Sequence, residues 1–281
     1  MNPSQYVKDK AAASGSSFYY AFLFLPKERR EAITAFYAFC REVDDVVDDA
    51  KDMSVAAQKL SWWRSEVHQA FLGKPSHPVM QALMPLATNY RITESQLTAV
   101  ITGCEMDLSQ TRYLEFANLK QYCHLVAGVV GEVAAQIFGQ TQEQTTEYAH
   151  TLGLAFQLTN IIRDVGEDLD RGRIYLPIAE LQSHGVTREM LEDKILTPQI
   201  KSALKEQIER VRRLQRESAI GIKMLSIQSR ACIQAASELY CGIVDEVEKI
   251  DYQIFSKRAK TSNWRRMKVA IPAYLRAVSS R

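Results

Sequence analysis

The stretch Gln157-Leu-Thr-Asn160-Ile-Ile-Arg163-Asp164-Val-Gly-Glu167-Asp168 limits what this chain can fold into more than any other. It contains no proline, and Gly166 is its only weak helix former, so it predicts a helix. Residues four apart on a helix share a face. Asn160, Asp164 and Asp168 therefore form a column of oxygen ligands, with Gln157 one turn before them. Leu158, Ile161, Ile162 and Val165 keep the neighbouring surface apolar. Two carboxylates so placed repel each other unless a cation sits between them. A second column, Tyr37, Arg41, Asp44 and Asp48, lies in Phe36-Tyr-Ala-Phe-Cys-Arg-Glu-Val-Asp-Asp-Val-Val-Asp-Asp49. The expectation is that both columns face one cavity and jointly hold hard divalent cations, which in turn hold a phosphorylated substrate.

Three readings compete for the acids. Solvated helix faces are disfavoured, because aromatic and branched residues interleave with them and charges seldom enter such company unpaired. A di-iron carboxylate bundle needs a Glu-x-x-His on each of two helices; the sequence offers Glu147 to His150 and no second. Magnesium suits best, since Mg2+ takes oxygen ligands and is commonly held by one or two carboxylates plus substrate phosphates. Arg41, Arg163, Arg171 and Arg173 supply nearby cations. With neither a Walker-type loop nor a GxGxxG turn, a nucleotide is not the expected phosphate carrier.

The rest of the chain reads as one all-α domain spanning 1–281. Helices are expected from Lys27 to Asp49, Val55 to Phe71, Pro78 to Tyr90, the capping box Thr93-Glu-Ser-Gln96 to Asp107, and Leu119 to Phe138. Thr141-Gln-Glu-Gln144 looks like a cap for the motif-bearing helix, and two long helices follow Gln199. No stretch alternates with period two, so no strand is expected. A net charge of +2 gives no reason to expect nucleic acid. The odd count of five scattered cysteines suggests neither a disulfide framework nor structural zinc, which fits a cytoplasmic protein. The N-terminal segment lacks a signal peptide's apolar core, and Phe18 to Leu25 is far short of the ~20 residues that span a bilayer.

The tail differs in charge. No acid follows Asp251, whereas Lys257, Arg258, Lys260, Arg265, Arg266, Lys268, Arg276 and Arg281 are basic. Trp264, Met267, Ile271, Tyr274 and Val278 form an apolar stripe among them. Such a helix can lie on the inner face of a membrane. The preferred reading is that the stripe packs on the body, as most such stripes do.

Taken together, the first acidic column with Tyr37 and Arg41, the Gln157–Asp168 column, Tyr122-Cys-His-Leu-Val-Ala-Gly-Val-Val-Gly-Glu132 and Arg173-Ile-Tyr-Leu-Pro177 resemble the squalene/phytoene synthase family. The likeness runs from about Ser16 to Lys257. Within the family, Ser14-Gly-Ser-Ser-Phe-Tyr-Tyr-Ala-Phe-Leu-Phe-Leu-Pro26, Gly103-Cys-Glu-Met-Asp-Leu108 and Asn160-Ile-Ile-Arg-Asp-Val-Gly-Glu-Asp168 most resemble the bacterial enzymes that make presqualene diphosphate for hopanoids. The resemblance implies an isoprenoid-synthase helical fold with a central cavity, and head-to-head condensation of two farnesyl diphosphates. By it, Asp44, Asp48, Asn160, Asp164 and Asp168 bind two or three Mg2+ ions, and no NADPH is expected. Phe18, Tyr37, Arg41, Tyr122, Gln157, Arg163, Arg173, Tyr175 and Tyr240 match substrate-binding positions. Lys257 stands where many relatives have arginine, keeping the charge and losing the bidentate fork. Tyr37, Arg41 and Tyr122 match catalytic positions, with Tyr122 or the released diphosphate as proton acceptor. Rival reactions within the family are those of phytoene, dehydrosqualene and squalene synthases. Outside catalysis, the rival is a helical isoprenoid-binding protein.

Other residues carry plainer expectations. Ala127, Gly128, Gly131 and Ala134 suit either a prenyl tail or close helix packing. Asp107 orients an arginine or caps a helix, and His124 reads as a core hydrogen-bonder. The sequence sets no oligomeric state.

Overall fold

Proline and small polar side chains mark where most helices begin. The computed structural model describes residues 2–279, apart from the side chains of Ser17, Asn263, Tyr274 and 276–279. Helix α1 (Pro3–Ala13) starts with Pro3 in its first turn, and Asn2 accepts from the Ser4 amide. Ser16 caps α2 (Ser17–Ala21), which tightens into a 3-10 turn (Phe22–Phe24) before Pro26 opens α3 (Lys27–Asp48). Next come α4 (Met53–Phe71), α5 (Pro78–Ala87) and α6 (Glu94–Met106), the last entered through the reciprocal Thr93/Gln96 capping box. Helix α7 (Phe116–Cys123) runs through a π-helical stretch (His124–Gly128) into α8 (Val129–Phe138). The run from Leu119 to Phe138 is thus continuous but not regular. Gly139 ends it in the left-handed region, with φ of 76°.

The central helix, α9 (Thr145–Asp170), carries the second acidic column. Thr141-Gln-Glu-Gln144 does not cap it. Gln144 makes no side-chain capping bond, and the Thr141 hydroxyl instead donates to the Met224 carbonyl at 2.7 Å. Two short helices, α10 (Ile178–Ser183) and α11 (Arg188–Glu192), lead to α12 (Pro198–Ile222), α13 (Ile227–Lys249) and α14 (Asn263–Ser279). Among the described residues no strand forms. Two isolated bridges, Arg112 to Ile174 and Gln140 to Leu225, pin loops.

Two apolar clusters build the core. One gathers Phe22, Phe36, Phe39, Leu60, Met80 and Phe138, and the other gathers Leu158, Ile162, Leu204, Val211 and Val247. Phe18 and Phe156 pack against both, marking a seam that is hollow. Where α8 crosses α9 the backbones almost touch. A Cβ on Gly131 would lie 2.3 Å from the Ala149 carbonyl oxygen, and one on Gly153 would lie 2.3 Å from that of Ala127. Close packing therefore explains Gly131, which also lines the hollow with Ala127 and Ala134.

Helix α14 reverses the preferred reading of the tail. Val269 and Ala273 are buried against the body, while Trp264 (69%), Met267 (58%) and Ile271 (59%) are exposed. The stripe faces out because the smaller side chains let α14 lie close to α13. The side chains of Tyr274, Arg276 and Val278 lie outside the described residues, as does Arg281.

Candidate active site

Helices α3 and α9 bring their acids to one cavity of about 850 Å3, in the upper part of the ~300–1,000 Å3 usual for small-molecule sites. Its lining along α9 runs from Thr145 to Asp168, roughly 35 Å of helix at 1.5 Å per residue. The Asp168 end is polar. Towards Thr145 the walls are Ala134, Phe138, Ala149, Leu152, Phe156, Leu225 and Ile233.

At the polar end the two columns share counter-charges. Asp48 accepts from Arg173 at 3.0 Å and from Arg171 at 3.3 Å, both residues following α9. Arg41 pairs within its own helix, with Asp44 at 2.6 Å and with Asp45. Arg163 forks onto Asp164, which also receives Arg258 at 3.0 Å. Burial first, then Asp164, pushes the Asp168 carboxyl up to about 8. Asp44 is enclosed by protein yet turns 43% of its side-chain surface to the cavity; burial and then Asp48 push it up to about 7. Acids this reluctant to ionise are crowded by like charge in poor solvent, the condition a bound cation relieves. The donor set fits a hard ion. Asp44, Asp48, Asp164 and Asp168 offer only oxygen, and Asn160 Oδ1 is buried with no hydrogen-bond partner.

Below the acids sits an aromatic layer. The Tyr122 hydroxyl donates to Asp107 at 2.9 Å, and that of Tyr175 donates to its other oxygen at 2.7 Å. Asp107, at the end of α6, thus sets two phenols and faces Arg173; burial raises its carboxyl to about 6 against these partners. The Tyr122 and Tyr175 rings stack at 5.2 Å. Burial, then Asp107, holds the Tyr122 phenol well above its ordinary range, so it stays protonated. Across the hollow, Phe156 stacks on Tyr240 at 4.0 Å and meets Phe18 edge-on, and Phe18 meets Tyr37 likewise. The Tyr37 hydroxyl donates to Ser14 at 3.1 Å.

The structure brings Phe18, Tyr37, Arg41, Asp44, Asp48, Tyr122, Gln157, Asn160, Arg163, Asp164, Asp168, Arg173, Tyr175 and Tyr240 to this one cavity. It does not bring Lys257 there. That side chain is exposed, and the adjacent Arg258 reaches Asp164 instead, because the chain leaving α13 turns the next residue inward. Sequence reasoning also missed Phe156, Lys260 and Arg266 as lining residues. The surplus of base over acid after Asp251 was the available signal for the last two. His124 is exposed rather than core, and it touches His150.

The fold and site define an all-helical prenyltransferase-like architecture, with a polar mouth over an apolar hollow. A family model described as squalene/phytoene synthase matches residues 11–265. The chain belongs to the squalene/phytoene synthase family. It is 37% identical over 274 residues to a chloroplastic phytoene synthase of Daucus carota, covering 95% of this chain and 69% of the relative. It is 34% identical to the 15-cis-phytoene synthase of Synechococcus elongatus, covering 95% and 90%. The chain spans only 65% of the chloroplastic phytoene synthase from an Oncidium hybrid cultivar, which it matches at 35% identity. Among solved structures, a dehydrosqualene synthase in complex with ligand superposes with a TM-score of 0.87 at 28% identity, covering 99% of each chain. The squalene synthase HpnC from Alicyclobacillus acidocaldarius superposes at 0.81 with 23% identity, covering 89% of this chain and 94% of that one; that likeness concerns the fold alone.

Proposed function

We propose that the chain condenses two farnesyl diphosphates head to head into presqualene diphosphate, releasing diphosphate, on a route to squalene and hopanoids. The observation that carries this reading is the meeting of both carboxylate columns at the polar end of a long apolar cavity. Asp44, Asp48, Asn160, Asp164 and Asp168 would hold Mg2+, which supplies charge neutralisation on the departing diphosphate. Arg41, Arg163, Arg171, Arg173 and Arg258 surround the same place and stabilise the negative charge that grows as the allylic C–O bond breaks. The apolar walls keep water from the resulting cation. The faces of Phe18, Tyr37 and Tyr122 attract it. The double bond of the second farnesyl group attacks, and loss of a proton closes the cyclopropane. Tyr122 is held as a phenol that already donates to Asp107, which favours the released diphosphate as proton acceptor.

The curated relatives favour a second reading, phytoene synthesis from C20 diphosphates. Incubation with Mg2+ and either farnesyl or geranylgeranyl diphosphate, with and without NADPH, followed by mass analysis, separates the two. Presqualene diphosphate irrespective of NADPH supports the first, and phytoene supports the second. Squalene formed only with NADPH would move the assignment to squalene synthase. Absence of turnover with every prenyl diphosphate would leave an isoprenoid-binding protein.

We further propose peripheral contact with a membrane through the outward face of α14. Trp264, Met267, Ile271 and Leu275 are exposed there with Lys268 over the Trp264 ring, whereas Arg265 turns inward to Asp245 and Arg266 lines the cavity. Among the described residues no helix is long and apolar enough to cross a bilayer.

A further inference from the structure

A second group of ligating side chains lies on the outer side of the crossing between α8 and α9. His124 opens the π-helical stretch, Glu132 sits in the first turn of α8, and His150 is on α9. His124 Nδ1 and His150 Nε2 are 2.7 Å apart, and one ligand atom from each of the three residues lies within 4.8 Å of the others. None of the three lines the cavity, whereas Ala127, Val130, Gly131 and Ala149 of the same crossing do. His124 is exposed, so an ion reaches the group from solvent.

The backbone builds this group. In a regular α-helix, residues eight apart stand roughly 80° apart around the axis. The wider i→i+5 turn of the π stretch takes up most of that offset and puts His124 and Glu132 on one face. Gly128 then makes space for the third ligand: a Cβ there would sit 2.4 Å from His150 Nε2, so a larger residue would push the ring away from its present place.

We propose that His124, Glu132 and His150 form a binding site for a Zn2+-class ion that clips α8 to α9 outside the reaction cavity. Two imidazoles and a carboxylate suit zinc and leave a fourth position for water. The same set is poor for Mg2+, which prefers all-oxygen sites such as the paired acidic columns. The two kinds of ion therefore sort between the two sites by ligand chemistry. Tetrahedral ligation at Zn–N distances of about 2.0–2.1 Å places two nitrogens roughly 3.3 Å apart, so the rings, now 2.7 Å apart, part by about half an ångström as the ion replaces their hydrogen bond.

The test uses the full chain, freed of metal and then supplied with excess Mg2+. Zn2+ binding is read by equilibrium dialysis, and Co2+ binding by its visible absorption. One equivalent is expected to bind, with a cobalt spectrum showing nitrogen ligation and a higher melting temperature with Zn2+. His124→Ala and, separately, the isosteric Glu132→Gln should each weaken binding at least about tenfold and abolish the thermal shift, with circular dichroism and Mg-dependent turnover unchanged. The site is overturned if the unaltered chain binds no equivalent under these conditions. It is equally overturned if both variants bind as tightly as the parent, which would place the ion on the aspartates or cysteines.

Discussion

Asp168 shows how a single residue can serve the site at the expense of the fold. Its carboxyl titrates near 8 in the folded protein, against about 3.9 in an unfolded chain. Between those values the folded state binds more protons than the unfolded one, so stability falls as pH rises from about 4 to about 8. Asp44, raised to about 7, acts in the same direction. Metal-free protein should therefore melt at a lower temperature at pH 8 than at pH 5. Mg2+ with inorganic diphosphate should recover most of the difference, since each ion needs the acids ionised. Asp168→Asn should stabilise the metal-free protein at pH 8 by an amount on the order of a few kcal/mol, at ~1.4 kcal/mol per pKa unit, seen as a higher melting temperature, while abolishing turnover. A flat melting profile across this range would contradict the assignment. In steady-state assays Asp48→Ala and Asp164→Ala should lose turnover with circular dichroism intact, and near-normal rates would refute their metal roles.

At the scale of the element, α9 is wedged against α8 with no room for another methyl group. Gly153→Ala places a Cβ against the Ala127 carbonyl and should destabilise by roughly 1–3 kcal/mol in chemical denaturation. An unchanged denaturation midpoint would show that the crossing relaxes freely. The same helix sets the depth of the hollow. Tyr148, close to the N-terminal end of α9, lines its far end with Phe138 and Leu225, and packs on Gly221 of α12. Tyr148→Ala should lengthen the cavity and raise the rate with geranylgeranyl diphosphate relative to farnesyl diphosphate, read by competition between the two substrates. No change in that ratio would place the chain-length stop elsewhere.

Over the whole molecule, the acidic mouth and the basic tail lie on connected surface. Arg258, Lys260 and Arg266 line the cavity, while Trp264, Met267, Ile271 and Leu275 face out. A membrane-bound α14 would bring an apolar substrate close to the opening. Paired substitution of Trp264 and Ile271 by glutamate should abolish co-sedimentation with anionic vesicles and leave turnover of detergent-dispersed substrate intact. Co-sedimentation equal to that of the parent would refute the docking face.

Sequence alone determined the local features, because spacing on a helix is fixed by backbone geometry. The columns Asp44/Asp48 and Asn160/Asp164/Asp168, the Thr93 capping box and the absence of strands among the described residues all follow from period and capping chemistry within a few residues. Tertiary structure decided what depends on how helices turn toward one another. It chose Arg258 over Lys257 at the mouth, pointed Trp264 outward although its stripe looked core-bound, and engaged Thr141 with Met224 instead of capping α9. It also joined His124 to His150 across a π-helical turn. In each case the deciding contact lies between residues far apart in the chain, and no local pattern encodes which partner the packing will supply.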